Sequence, residues 1–144
     1  MTARGIRNHN PGNIRIGDDW RGLAEWADMT QSQKNEKSFC VFIAPVYGIR
    51  ALCKLLLNYQ LRYSLDTVRL MIDRYAPSSE NNTSAYVDHV CLLTGFGMDE
   101  SIDLREPRKM HKMLAAIITH ENGTNPYSPE DVEDGMVLAG LGRI

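Results

Sequence analysis

The chain is short of several features that would assign it to a familiar class. Cysteine occurs three times in 144 residues, as Cys40, Cys53 and Cys91, never as a Cys-x-x-Cys pair. That excludes a zinc ribbon and a disulfide framework. Each thiol lies in an apolar segment, where free cysteine behaves as a small hydrophobe, and synthesis in a reducing compartment is expected. No apolar run reaches the roughly 18 residues of a membrane span, so no membrane insertion is expected. The opening Met1-Thr2-Ala3-Arg4-Gly5 lacks the apolar core of a signal peptide, so a protein acting outside the cytoplasm would need another carrier. Sixteen basic against 18 acidic side chains give a net charge of −2, which excludes nucleic-acid binding through overall charge. The four histidines share no ligand spacing and no Gly-rich phosphate loop is present. Neither a metal nor a nucleotide cofactor is therefore expected.

What is present is ordinary globular material, 43% apolar and 24% charged, enough for one domain spanning residues 1–144. A monomer is expected. The first 35 residues read as turns and short strands. Asn10-Pro11-Gly12-Asn13 is a turn signal, Ile14-Arg15-Ile16 alternates like a strand, and Trp20 to Ala24 reads as its returning partner. Residues 30–37 are polar and read as an exposed loop, and 39–43 as an apolar extended segment. The period then changes from two to between three and four. A helix is predicted over 45–61, a second with Asp66 as its cap, and a third capped by Asn82 or Thr83 and stopped at Gly95. A fourth runs from Pro107 to Gly123, and a short fifth starts at Ser128-Pro129. The predicted fold class is α+β, mostly α, with a small β-hairpin near the N-terminus.

Glu121 is the first candidate for chemistry. It ends an apolar helix, where the helix dipole disfavours negative charge, and Ile117 and Ile118 share its face. Such surroundings suit a general acid for glycoside cleavage. A solvated helix-end residue is the alternative. Asn8, Asn10 and Asn13 surround the tight turn, either as turn-makers or as donors and acceptors for sugar groups. Arg4, Arg7, Arg15 and Arg21 bias the first 21 residues toward anionic polymer or peptide carboxylates, or are scattered surface charge. Trp20 and Trp26 suit either sugar platforms or core packing. A second carboxylate would activate water. Asp18, Asp19, Glu25 and Asp28 are candidates, with Glu25 the first choice by position. Glu80 is either a third acid or an exposed helix-start residue.

The run Ile117-Ile118-x-x-Glu121-Asn122-Gly123-x-x-Pro126-Tyr127 resembles the catalytic segment of lysozyme-like peptidoglycan hydrolases. Lytic transglycosylases show apolar-apolar-x-x-Glu-Ser-Gly-Phe-x-Pro there, so Asn122 stands where that family has serine. Asn8-His9-Asn10-Pro11-Gly12-Asn13-Ile14-Arg15 followed by Trp20-Arg21-Gly22 is similar to the β-hairpin of flagellar and autolysin-type glucosaminidases. Arg74-Tyr75-Ala76-Pro77 through Tyr86-Val87 is similar to their Tyr-Ala-Thr-Asp-Pro-x-Tyr-Ala segment, which places Tyr86 in a cleft near the acid. The order here is hairpin, tyrosine helix, glutamate helix. It differs from the order in those families and reads as a circular permutation of a lysozyme-like fold. The chain as a whole also resembles bacteriophage proteins that open Arg-Gly-Ile-Arg-Asn-x-Asn-Pro-Gly-Asn-Ile-Arg, labelled virion structural proteins or cell-wall hydrolases.

The resemblance implies a glycosidase of peptidoglycan, a phage lysis or virion-associated enzyme of muramidase, transglycosylase or glucosaminidase type. Glu121, Tyr86 and Glu25 would be catalytic. Asn8, Asn10, Asn13, Arg15, Trp20, Asn122 and Tyr127 would bind substrate. The partners would be peptidoglycan and other virion proteins. Synthesis would be in the host cytoplasm, and action in the periplasm or at the wall. The alternative is a non-catalytic virion or wall-binding module on the same scaffold. A DNA-associated virion protein using the N-terminal arginines is a third reading that the acidic balance disfavours.

Overall fold

A computed structural model describes residues 2–79 and 81–144; Glu80, a candidate acid, lies outside the described residues. Among these residues the chain is mostly helical, with seven α-helices: α1 Arg4–Arg7, α2 Gln31–Lys34, α3 Pro45–Tyr63, α4 Val68–Tyr75, α5 Thr83–Thr94, α6 Pro107–Asn122 and α7 Pro129–Leu138. Local chemistry sets most boundaries. Pro45, Pro107 and Pro129 each occupy a first-turn position, where the missing N–H costs nothing. Ser128 and Asp131 close α7 with a reciprocal capping box. The Asn82 side chain caps α5, and Gly95 and Gly123 end α5 and α6 in the left-handed region. The expected Asp66 cap is displaced by one residue. The Thr67 hydroxyl accepts from Leu70 N and starts α4, while the Asp66 carboxylate accepts from Ser101 Oγ.

Helix α6 lies at the centre. Met110, Met113, Leu114, Ala116, Ile117 and Ile118 are all buried, and α5, α7, α3 and α1 pack around it. The α3–α7 contact is especially close, since a Cβ on Gly135 would fall 2.4 Å from Ile49 Cγ2. The three cysteines are free thiols, with Cys40 and Cys53 buried. No described helix is long and apolar enough to cross a membrane.

The expected hairpin does not form. Residues 14–16 and 20–24 do not pair with each other; each pairs with the apolar segment at 38–43. Single antiparallel bridges join Arg15 to Phe39 and Leu23 to Phe42. On one side Cys40 N donates to Ile14 O (2.9 Å) and Ile16 N to Ser38 O (3.0 Å). On the other, Ala24 N donates to Val41 O (2.9 Å) and Ile43 N to Gly22 O (2.8 Å). An extended segment presents its N–H and C=O groups alternately to both sides. The most apolar of the three, with Cys40, Val41 and Phe42 buried, therefore takes the middle.

The polar run 30–37 is also more ordered than a loop. Thr30 and Gln33 form a capping box on α2, and Gln33 Nε2 donates to Arg7 O (2.7 Å). Glu36 anchors the run to the N-terminal segment. Its side chain is 4% exposed and its Oε1 accepts from Arg7 (2.8 Å) and from Asn8 Nδ2 (2.9 Å). Its Oε2 accepts from the N–H groups of Lys37, Ser38 and Phe39. Burial alone would raise this carboxyl. The Ser38 N–H, the Asn8 amide, the Phe39 N–H and the Arg4 charge outweigh burial and bring it down to about 2.

A carboxyl held below its unfolded value stabilises the fold above that unfolded value and loses the contribution as pH falls toward its folded value. The shift from 4.5 to about 2 corresponds to a stabilisation on the order of 3 kcal/mol. Glu36→Gln should therefore unfold at lower urea concentration at pH 7 by about that free energy. Its stability should also fall less than the wild type's between pH 4.5 and 2. Equal stability and equal pH slopes for the two proteins would contradict this role.

Candidate functional site

The Asn10–Asn13 turn is pressed against the C-terminal end of α6, and the site forms there. Asn10 is fully buried and closes the turn. Its Nδ2 donates to Ile14 O (2.9 Å) and Cys40 O (3.0 Å), and its Oδ1 accepts from Ile14 N (3.0 Å). Asn13 sits at φ 50°, a left-handed conformation that asparagine tolerates better than most residues. From it, Asn13 Nδ2 donates to Glu121 Oε1 at 2.9 Å. Asn122 Nδ2 donates to both Pro11 O (2.8 Å) and Ile118 O (2.9 Å). The Tyr75 hydroxyl, from the end of α4, donates to Gly12 O. The fit is close: a Cβ on Gly5 would lie 2.5 Å from Asn122 Oδ1 and 2.7 Å from Asn10 O.

Glu121 opens into a cavity of about 500 Å³ that is also lined by Arg4, Asn13, Arg15, Tyr59, Arg74 and Tyr75. It is the one carboxylate that the described residues place in this lining. Behind it stands Tyr86, 2% exposed, its hydroxyl buried without a hydrogen-bond partner of good geometry among the described residues. Burial drives this phenol far above its ordinary range, and the nearby Tyr75 and Glu121 drive it further. Tyr75 is raised well above its ordinary value in the same way, by burial first and then by Glu121 and Tyr59. Both phenols therefore stay protonated and can only donate toward the carboxylate. The Tyr86 ring stacks on His120 with centroids 3.7 Å apart, and His120 Nδ1 meets His89 Nδ1 at 2.8 Å.

The structure thus brings together Glu121, Asn13, Arg15 and, behind them, Tyr86. Other sequence candidates lie elsewhere. Asn8 is fully buried, donates to Glu36 and accepts from Arg7 Nε (3.2 Å). Trp20 packs against the hydrophobic core with its Nε1 buried and unpartnered among the described residues. Tyr127 lines a separate pocket with Pro45, Ile49 and Asp134. Glu25 is exposed, caps a single 3-10 turn at Trp26–Asp28, and is absent from the lining around Glu121. Among the described residues no cluster of three or more His, Cys, Asp or Glu could hold a metal. Sequence reasoning missed Arg74, Tyr59 and Tyr75 as lining residues, although Arg74-Tyr75 heads the motif that led to Tyr86.

The departure at Asn122 has a structural use. A serine at this helix position can reach back to Ile118 O, but its shorter side chain does not extend to Pro11 O as well. Asn122→Ser should lower stability by about 1–2 kcal/mol in urea unfolding at pH 7, the cost of one buried acceptor losing its donor. Unchanged stability would show that the bridge to Pro11 contributes nothing.

No model of a known protein family matches the chain. Protein P5 of Pseudoalteromonas phage PM2 is 35% identical over 135 residues, covering 94% of this chain and 81% of that protein. Identity at this level, sustained over nearly the full length of both, reflects a shared fold rather than a shared motif. The chain belongs to the family of the phage Protein P5.

Proposed function

We propose that this protein cuts the glycan strands of peptidoglycan, as a phage enzyme made in the host cytoplasm and acting in the periplasm or at the cell wall. One observation carries the reading: Glu121 faces an open cavity while Asn13 holds one of its oxygens and two protonated tyrosines close it from behind. In this reading the oxygen not held by Asn13 carries the proton and delivers it to the glycosidic oxygen. Tyr86 orients the acid through the field it shares with Glu121. The lysozyme-like motif around Glu121 and the phage membership of the family agree with this function.

The lining also favours one outcome of cleavage. With no second carboxylate among its described residues, a water activated from the opposite face is not supplied for. The substrate's own hydroxyl or acetamido group then attacks the anomeric carbon, and the new end is an anhydro sugar.

The test is mass spectrometry of soluble products from purified Gram-negative peptidoglycan, with Glu121→Gln alongside. The wild type should release anhydro-muramyl ends, and the variant at least about 100-fold less, as expected for loss of a general acid. Equal release by both proteins would overturn the assignment of Glu121. Binding to insoluble peptidoglycan without release by either would instead favour the non-catalytic wall-binding scaffold.

A further inference from the structure

The charges around the Glu121 cavity are lopsided. Among its described lining residues three guanidiniums, those of Arg4, Arg15 and Arg74, face a single carboxylate. The whole chain carries a net charge of −2, so this is a local concentration and not a consequence of composition. Arg74 is held in place by aromatic rings, 4.0 Å from the centroid of Tyr63 and 5.5 Å from that of Tyr59, and has no carboxylate partner among the described residues. Arg4 is 57% exposed and lies 3.5 Å from Glu36, an acid already satisfied by Arg7, Asn8 and three backbone N–H groups. Arg4 and Arg15 both lie over the Phe39 ring, at 5.2 and 5.0 Å. Cations gathered on one wall of a cavity repel one another, and a bound anion relieves the repulsion. The planar guanidinium fork matches a carboxylate, and stacking on aromatic rings fixes its direction before the ligand arrives.

We propose that the Arg4–Arg15–Arg74 wall is a carboxylate-binding subsite that selects glycan strands still bearing acidic peptide stems over neutral N-acetyl-sugar chains. Arg74 and Arg4 carry the subsite and Arg15 shapes its wall. The proposal rests on the glycan-cleavage reading for the source of its ligand, and it deepens that reading by naming which strands are bound. Only the first of the sequence's two suggestions for the N-terminal arginines then survives, and only for two of the four. Arg7 is engaged by Glu36, and Arg21 lies over the Tyr47 ring outside the cavity lining.

The experiment is isothermal titration of the full-length Glu121→Gln protein, which binds without turnover. Three probes are used: a disaccharide tetrapeptide from peptidoglycan, the same fragment with its carboxylates amidated, and chitotetraose. The acidic fragment should bind at least about tenfold more tightly than the other two, and added salt should narrow the difference. Adding Arg74→Gln should weaken the acidic fragment by about tenfold and leave the amidated one unchanged, while Arg74→Lys restores part of the loss. Arg74 packs on two tyrosines, so Arg4→Gln, at a more exposed position, gives the same readout if the first variant does not fold. Equal affinity for the acidic and amidated fragments, or weakening of both alike, overturns the subsite. Acid-selective binding by a protein whose wild type releases no muropeptides supports the subsite and removes the glycosidase; release with unselective binding does the reverse.

Discussion

The grip of the Asn10–Asn13 turn on the end of α6 is the contact on which the site depends. Three side chains make it, from three parts of the chain: Asn122 to Pro11 O, Tyr75 to Gly12 O, and Asn13 to Glu121. Two of these satisfy backbone carbonyls of a tight turn that regular structure would leave unpaired. The third fixes the carboxylate that the cavity presents. Separating the turn from the helix would lose the floor of the cavity and the orientation of Glu121 together.

The turn itself is held from the other side by a second buried polar centre. Glu36 gathers Arg7, Asn8 and three backbone N–H groups into one compact network, and Asn10 ties the turn to Ile14 and Cys40. A buried carboxylate is tolerable only with this many donors, since an unpaired charge in the interior costs several kcal/mol. Order therefore passes from a polar stretch near residue 36, through a turn without strands on its own account, to the catalytic candidate on the central helix. The electrostatics follow the same layout. Protonated phenols lie behind Glu121 and guanidiniums lie across from it, so the carboxylate is set between donors on one side and a cationic wall on the other.

Much of the helical architecture was legible because its signals are local. Prolines at first-turn positions, the Ser128–Asp131 box and the glycines after α5 and α6 each act within a few residues. Glu121 was legible for the same reason, at the end of an apolar helix before a glycine stop. The partners of an extended segment are a tertiary choice. Ile14–Ile16 and residues 20–24 read as a hairpin, yet both prefer the more apolar 38–43 segment between them. The asparagines around the turn read equally as ligands or turn-makers, and only packing divides them, with Asn8 and Asn10 inside the structure and Asn13 on Glu121. Arg74 sits 47 residues before Glu121, and no spacing rule could pair them. The mostly helical fold, the phage family and the cavity around Glu121 stand together, while peptidoglycan cleavage is the reading proposed for them.

The most direct test of this account is a double-mutant cycle between Asn13 and Glu121, measured by urea unfolding at pH 7 with Asn13→Ala, Glu121→Ala and the pair. If the turn grips the helix end as described, the two changes are coupled by about 1 kcal/mol or more, the range for a hydrogen bond to a charged group. Free-energy changes that simply add, to within about 0.3 kcal/mol, would contradict it, because Asn13 would then not hold the carboxylate on which the site is built.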